Sequence, residues 1–227
     1  MYVLRGRGKT LGTDREATDE FVQRTRKTGE AGVRVWQPPK NVAFGRRDGN
    51  RDGYEQALTV ANERGYPVAD RSVGGHAVAF TGTTVAFAFA EPVEDSRSGI
   101  TERYDRVTKR VEAALHALGV TANEGEPAGA FCPGTHSLSA EGKIVGLAQR
   151  VHSDVAVTSG ILIVADHKAI ATVLEPIYDL LDVSFNKSAV GSIARADGDT
   201  TRETVIETFI KHLTSGGHDT TEVLRET

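Results

Sequence analysis

The sequence predicts an α+β fold, a mostly antiparallel sheet packed against helices, and three observations carry that expectation. Runs rich in valine and phenylalanine flank glycine turns at Thr81-Gly82-Thr83 and Glu141-Gly142, as in hairpins. Between and after these lie stretches whose apolar residues recur at steps of three and four. No repeat, low-complexity tract or Pro/Ser-rich linker divides the 227 residues. One domain over 1–227 is therefore expected, with a polar, loosely ordered tail after about residue 215.

Taken in order, "VRVW" (Val33 to Trp36) and "NVAFG" (Asn41 to Gly45) are short strand runs around "QPPK", where two prolines forbid a helix. "GYEQALTVANERGYP" reads as a helix closed by Gly65 and Pro67. "HAVAFTGTTVAFAFAEP" reads as a hairpin. The clearest helix carries Tyr104, Val107, Val111, Ala114, Leu115 and Leu118 and stops at Gly119. "SLSAEGKIVGLAQRV" predicts a second hairpin and "DVAVTSGILIV" a buried strand region. Asp166 is placed to cap a helix over Ile170, Val173, Leu174, Ile177 and Leu181. Thr200 to Glu203 has capping-box spacing ahead of Val205, Phe209 and Leu213.

Composition narrows the function. With 31 acidic against 27 basic residues the net charge is −4, and the basic residues near the N-terminus are interleaved with glycine and acid. That argues against a nucleic-acid partner. A single cysteine excludes an intramolecular disulfide framework and suits a reducing compartment. The opening "MYVLRGRGKTLG" lacks the apolar core of a signal peptide, and "TTVAFAFA" falls far short of the ~20 residues that span a bilayer. A soluble, cytoplasmic protein without a membrane partner is expected.

Two motifs are decoys. "GRGKT" (residues 6–10) resembles the end of a phosphate-binding loop, but that pattern needs glycine where Val3 stands, and "MYVL" is a poor strand. The seven histidines form no helical i, i+4 pair and have no partner cysteines, so no metal site is expected.

"DRSVGGHAVAF" puts Gly74-Gly75 directly before a strand. On the pair alone, a turn of positive φ is the plainer reading. The functional one has bare backbone closing on a ligand, with Arg71 offering a fork to an anion. Cys132 and Lys143 face the same choice. The thiol is either a packing residue or a nucleophile. The lysine is either a solvated neighbour of a hairpin glycine or a group that stabilises developing negative charge.

The ordered set "RVWQPPKNVAFGRRD", "RSVGGHAVAFTGTTVAFAFA" and "GKIVGLAQR" resembles the three blocks of the biotin/lipoate protein ligase catalytic superfamily, over roughly residues 30 to 165. The resemblance implies the class II aminoacyl-tRNA synthetase-like fold of those catalytic domains. It implies an acyl pocket lined by Arg71, Gly74, Gly75, His76 and Ala77, and Lys143 on the acyl carbonyl or acyl-adenylate phosphate. The family usually has a small residue where this chain has His76, so the histidine is expected to enter or rim the pocket.

"FCPGTHSLSAEGKIVGLAQR" most resembles the octanoyl-[GcvH]:protein amidotransferase branch, in which the cysteine of a Cys-Pro-Gly accepts the acyl group. This implies Cys132 as nucleophile, with Lys143 its candidate neighbouring charge. Gly134 and Thr135 are implied as amide donors, His136 as a candidate base, and Gly142 and Gly146 as part of the substrate-binding set. The implied activity moves an octanoyl or lipoyl group from an acyl carrier protein to a lysine of a lipoyl domain or H-protein, without a cofactor. The alternative is a lipoate-protein ligase that uses ATP and Mg and passes through an adenylate, with Cys132 a spectator. A second alternative is an acyl-binding subunit without turnover. The extra C-terminal domain of bacterial ligases is not expected within 227 residues; a separate partner subunit is the other way to supply it, so this only leans toward the transferase.

Overall fold

The computed structural model describes residues 1–71 and 75–224. Gly74, one of the expected pocket residues, lies outside the described residues. The strands are β1 (Tyr2–Arg5), β2 (Gly32–Trp36), β3 (Asn41–Phe44), β4 (Val68–Asp70), β5 (Val78–Phe80), β6 (Val85–Pro92), β7 (Asn123–Glu124), β8 (Ser137–Ser139), β9 (Lys143–Val151), β10 (Val155–Leu162) and β11 (Thr220–Val223). The helices are α1 (Leu11–Thr28), α2 (Tyr54–Glu63), α3 (Ile100–Ala117), α4 (His167–Leu180) and α5 (Arg202–Leu213).

Among the described residues the strands form two sheets. The larger has the order β11-β1-β2-β6-β10-β9-β8-β7 and the smaller β4-β3-β5. Pairing is antiparallel except β1 with β2 and β11, and β3 with β4. The expected α+β architecture is therefore present, with a mixed sheet.

Alternation along β6 explains how the large sheet is covered. Val85, Phe87 and Phe89 face the core shared with α3 and α5, alongside Val107, Val111, Leu115 and Phe209. Ala86, Ala88 and Ala90 face the opposite side, with Tyr2, Phe21 of α1 and Trp36. A second core holds α2 and α4 against the small sheet through Val42, Phe44, Ala61, Leu174 and Ile177.

Several expectations are corrected. Thr81-Gly82-Thr83 is not a hairpin turn: β5 pairs with β3, while β6 pairs with β2 and β10, so the chain changes sheets there. Threonine side chains satisfy the crossover instead of a ladder, Thr81 N–H donating to Thr84 Oγ1 at 3.0 Å. Asp166 does not cap α4 with its side chain. Its backbone is left-handed (φ 59°), and its carboxylate accepts from Thr83 Oγ1 at 2.9 Å, tying down that crossover. The capping box at Thr200 is also absent: Thr201 is the N-cap of α5 and makes no side-chain cap bond. In the tail expected to fray, β11 pairs with β1 in parallel.

The decoy loop sits after a real strand and before a real helix, because β1 is paired on both sides and Thr10 and Thr13 form a capping box for α1. Yet the Gly8 amide already donates to the Asp14 carboxylate at 3.0 Å. The same carboxylate takes the fully buried Arg34 guanidinium at 2.8 Å and the Trp36 indole N–H at 2.9 Å. Burial lowers the Arg34 guanidinium, with Asp14 opposing the shift.

No helix among the described residues is long and apolar enough to cross a membrane. Docking of α1 gives a first prediction. The buried Tyr2 hydroxyl donates to Phe21 O at 2.6 Å and lies 3.1 Å from Thr25 Oγ1. Tyr2→Phe strands both, and urea denaturation is expected to show a loss of about 1–2 kcal/mol.

Candidate active site

The β8–β9 hairpin turns through Glu141 (φ 53°) and Gly142 (φ 115°). A Cβ on Gly142 would stand 2.7 Å from the Gly191 amide, so only glycine lets the turn seat against that backbone. The Lys143 carbonyl then accepts from Gly191 N–H at 2.9 Å, fixing the first residue of β9. Lys143 is 2% exposed. Its ammonium donates to Glu126 Oε2 at 2.8 Å, Cys132 O at 2.8 Å and Phe131 O at 3.1 Å, using all three of its protons. Gly146 leaves space for this stem, since a Cβ there would lie 3.3 Å from Lys143 Cε.

The lysine thus grips the loop that carries the cysteine. Cys132 is left-handed (φ 40°), an uncommon state for a residue with a side chain. Its N–H donates to the Tyr178 hydroxyl of α4 at 2.6 Å, and that hydroxyl donates to Ala77 O at 2.8 Å. Its sulfur lies 3.5 Å from Arg71 Nη2. A Cβ on Gly75 would stand 2.6 Å from the same sulfur, so the thiol rests over bare backbone. Arg71 Nη2 also donates to His76 O at 2.6 Å, whereas its buried Nε has no hydrogen-bond partner among the described residues.

These groups border a cavity of about 460 Å³ with a mostly apolar wall that includes Trp36, Phe80, Phe87, Leu147 and Ile161. Its size is that of a small-ligand site. Of the expected residues, Arg71, Gly75, Cys132, Gly134, Thr135, His136, Lys143 and Gly146 line it.

Three expected pocket residues do other work. His76 does not rim the cavity: it is buried, with Nδ1 2.7 Å from Asp48 Oδ1, and the Asp48 carboxylate also holds the Gly45 amide at 2.9 Å. A buried imidazole needs that polar partner, which turns the ring away from the apolar slot. Ala77 contributes the carbonyl that receives Tyr178, and Gly142 serves the hairpin turn.

The Gly134 amide and the His136 ring each have a partner of their own. The Gly134 N–H already donates to Glu126 Oε1 at 2.9 Å. His136 stacks on Tyr104 with ring centroids 3.6 Å apart and planes 8° apart, which gives it a place in the cavity wall. The cation in hydrogen-bonding range of the sulfur is Arg71, while Lys143 reaches the carbonyl of the same residue.

The sequence assigns no role to Glu126, Tyr178 or Asp48, though Asp48 closes the block "RVWQPPKNVAFGRRD". Glu126 collects Lys143, Gly134 N–H and Ser137 Oγ on one carboxylate. Its only trace in the sequence is one of two acids in "NEGEPAGA".

The family model of the lipoyl protein ligase A/B catalytic domain matches residues 13–214. The chain belongs to that family. An octanoyl-[GcvH]:protein N-octanoyltransferase of Geobacillus kaustophilus is 28% identical over 153 residues, 66% of this chain and 54% of the relative. One from Kyrpidia tusciae is 35% identical over 133 residues, 57% of this chain and 45% of the relative. The chain spans about half the length of the curated relatives it matches. A lipoate-protein ligase A crystal structure bound with ATP superposes with a TM-score of 0.75 at 18% identity, covering 96% of this chain and 87% of that one, which establishes the lipoyl ligase fold.

Proposed function

We propose that this protein transfers an octanoyl or lipoyl group, by way of a thioester on Cys132, to the ε-amine of a lysine on a lipoyl domain or H-protein. The observation that carries the reading is the seat of the sulfur: over the Gly75 backbone, 3.5 Å from the Arg71 guanidinium, at the wall of a mostly apolar cavity. The curated relatives, named as octanoyl-[GcvH]:protein N-octanoyltransferases, support it.

In the first step the Cys132 thiolate attacks the carbonyl of an acyl-carrier thioester. A new C–S bond forms, the donor's C–S bond breaks, and the donor sulfur takes up the proton that the Cys132 thiol gave up and leaves as a thiol. In the second the acceptor amine attacks the Cys132 thioester. A C–N bond forms, the bond to Cys132 breaks, and the amine's proton returns the leaving sulfur to a thiol. Arg71 stabilises the sulfur's charge, and the Lys143 ammonium, held on the Cys132 carbonyl and lining the same cavity, supplies positive potential where the carbonyl oxygen gains charge. No cofactor enters either step, and a reducing cytoplasm keeps the single thiol available.

Intact mass spectrometry of the purified protein with octanoyl-carrier protein, without ATP, tests this reading. One octanoyl adduct, removed by hydroxylamine and absent from Cys132→Ala, is expected. Loading of free lipoate that needs ATP and Mg and survives Cys132→Ala establishes the ligase route instead. No acyl transfer under either condition leaves only a binding role.

A further inference from the structure

We infer that Tyr178 is the positioning residue of the nucleophile: its hydroxyl, reaching from α4, holds Cys132 in the left-handed geometry that sets the sulfur between Gly75 and Arg71. The inference rests on the proposed acyl transfer through Cys132. A left-handed residue with a side chain persists only where its surroundings over-determine it. Cys132 holds φ 40°, and its amide, where it is shielded from water, requires an acceptor. The Tyr178 hydroxyl accepts it at 2.6 Å.

The hydroxyl's own proton must also be placed, because Tyr178 is completely buried, and Ala77 O receives it at 2.8 Å. Ala77 continues the segment whose Gly75 lies under the sulfur and whose His76 carbonyl holds Arg71 at 2.6 Å. One oxygen atom therefore joins the loop that presents the thiol to the segment that presents the cation. On the other side of the same residue, Lys143 holds the Cys132 carbonyl at 2.8 Å. The peptide groups on both sides of Cys132 are clamped.

The tyrosine ring has little freedom to drift. Phe185 packs against it at 5.0 Å between centroids, and His76, held by Asp48, meets it edge-on at 6.3 Å. Burial first, and the neighbouring Cys132 second, push the phenol well above its ordinary range, which favours the protonated hydroxyl that donates to Ala77 O. A phenylalanine here would fill the same volume, and only the hydroxyl distinguishes a positioning residue from a core aromatic.

Tyr178→Phe is the test, read in two ways on the full chain. Iodoacetamide alkylation of Cys132, followed by intact mass across pH 5–9, needs no acyl donor. Octanoyl loading from carrier protein gives the rate and the donor KM. With the hydroxyl gone, the alkylation profile is expected to move to higher pH. Loading should slow on the order of 10-fold at unchanged donor KM.

Phe185→Leu loosens the ring's packing but keeps the hydroxyl, so it should lower Tm and leave the alkylation profile in place. An unchanged profile in Tyr178→Phe, or an equal shift in both variants, overturns the positioning role. The alkylation arm decides this role even for a wild-type protein that accepts no octanoyl group, so loss of the transferase reading and loss of this one are read separately.

Discussion

Gly75→Ala is expected to cut octanoyl loading of Cys132 by about 10²-fold or more while leaving the protein folded. Two penalties coincide at this position. Its φ of 93° strains any residue with a Cβ, at a cost of roughly 1–3 kcal/mol. The new methyl would also stand 2.6 Å from the Cys132 sulfur and 3.5 Å from Arg71 Nη2. The sulfur is the end of a short side chain, so it yields first and moves away from its cation. Intact-mass kinetics measure the loading rate and thermal melting checks the fold. Loading at the wild-type rate would mean that the thiol does not react from this seat.

Lys143→Ala should abolish turnover and also cost about 3 kcal/mol of stability. The stability loss follows from what the ammonium leaves behind: the Glu126 carboxylate and the carbonyls of Phe131 and Cys132. A double variant separates the two effects. In Lys143→Met with Glu126→Gln the unpaired charge is gone, and the glutamine oxygen still accepts from Gly134 N–H. Most of the stability should return in urea denaturation while turnover does not. Restored turnover in that pair would reduce Lys143 to a structural tie.

Periodicity was enough for the elements whose buried faces are apolar. α3 stands where Val107, Val111 and Leu115 place it, and the β8–β9 hairpin turns at Glu141-Gly142. α1 escaped notice because its buried positions, Asp14, Ala17, Phe21 and Thr25, include only two apolar side chains in a helix otherwise rich in charge. β1 and β11 exist only through each other and β2, a long-range pairing that no local window contains.

At Thr81-Gly82-Thr83, hairpin spacing and a change of sheet look alike in sequence, and only the partners of β3 and β2 tell them apart. In the site, Arg71, Gly75, Cys132 and Lys143 were legible because they stand in ordered motifs. Glu126, Asp48 and Tyr178 act through bonds to residues 17, 28 and 101 positions away, so their chemistry arises only on folding.

The sheet change at Thr81–Thr84 has a consequence for the timing of reactivity. Arg71 and Gly75 come from the small sheet's side of the junction and Lys143 from β9 of the large sheet, with the Cys132 loop held between Lys143 and Tyr178 of α4. A chain in which either half has collapsed alone has not yet brought the sulfur to Arg71. The seat of the sulfur against Arg71 and Gly75 is therefore complete only when both sheets have docked.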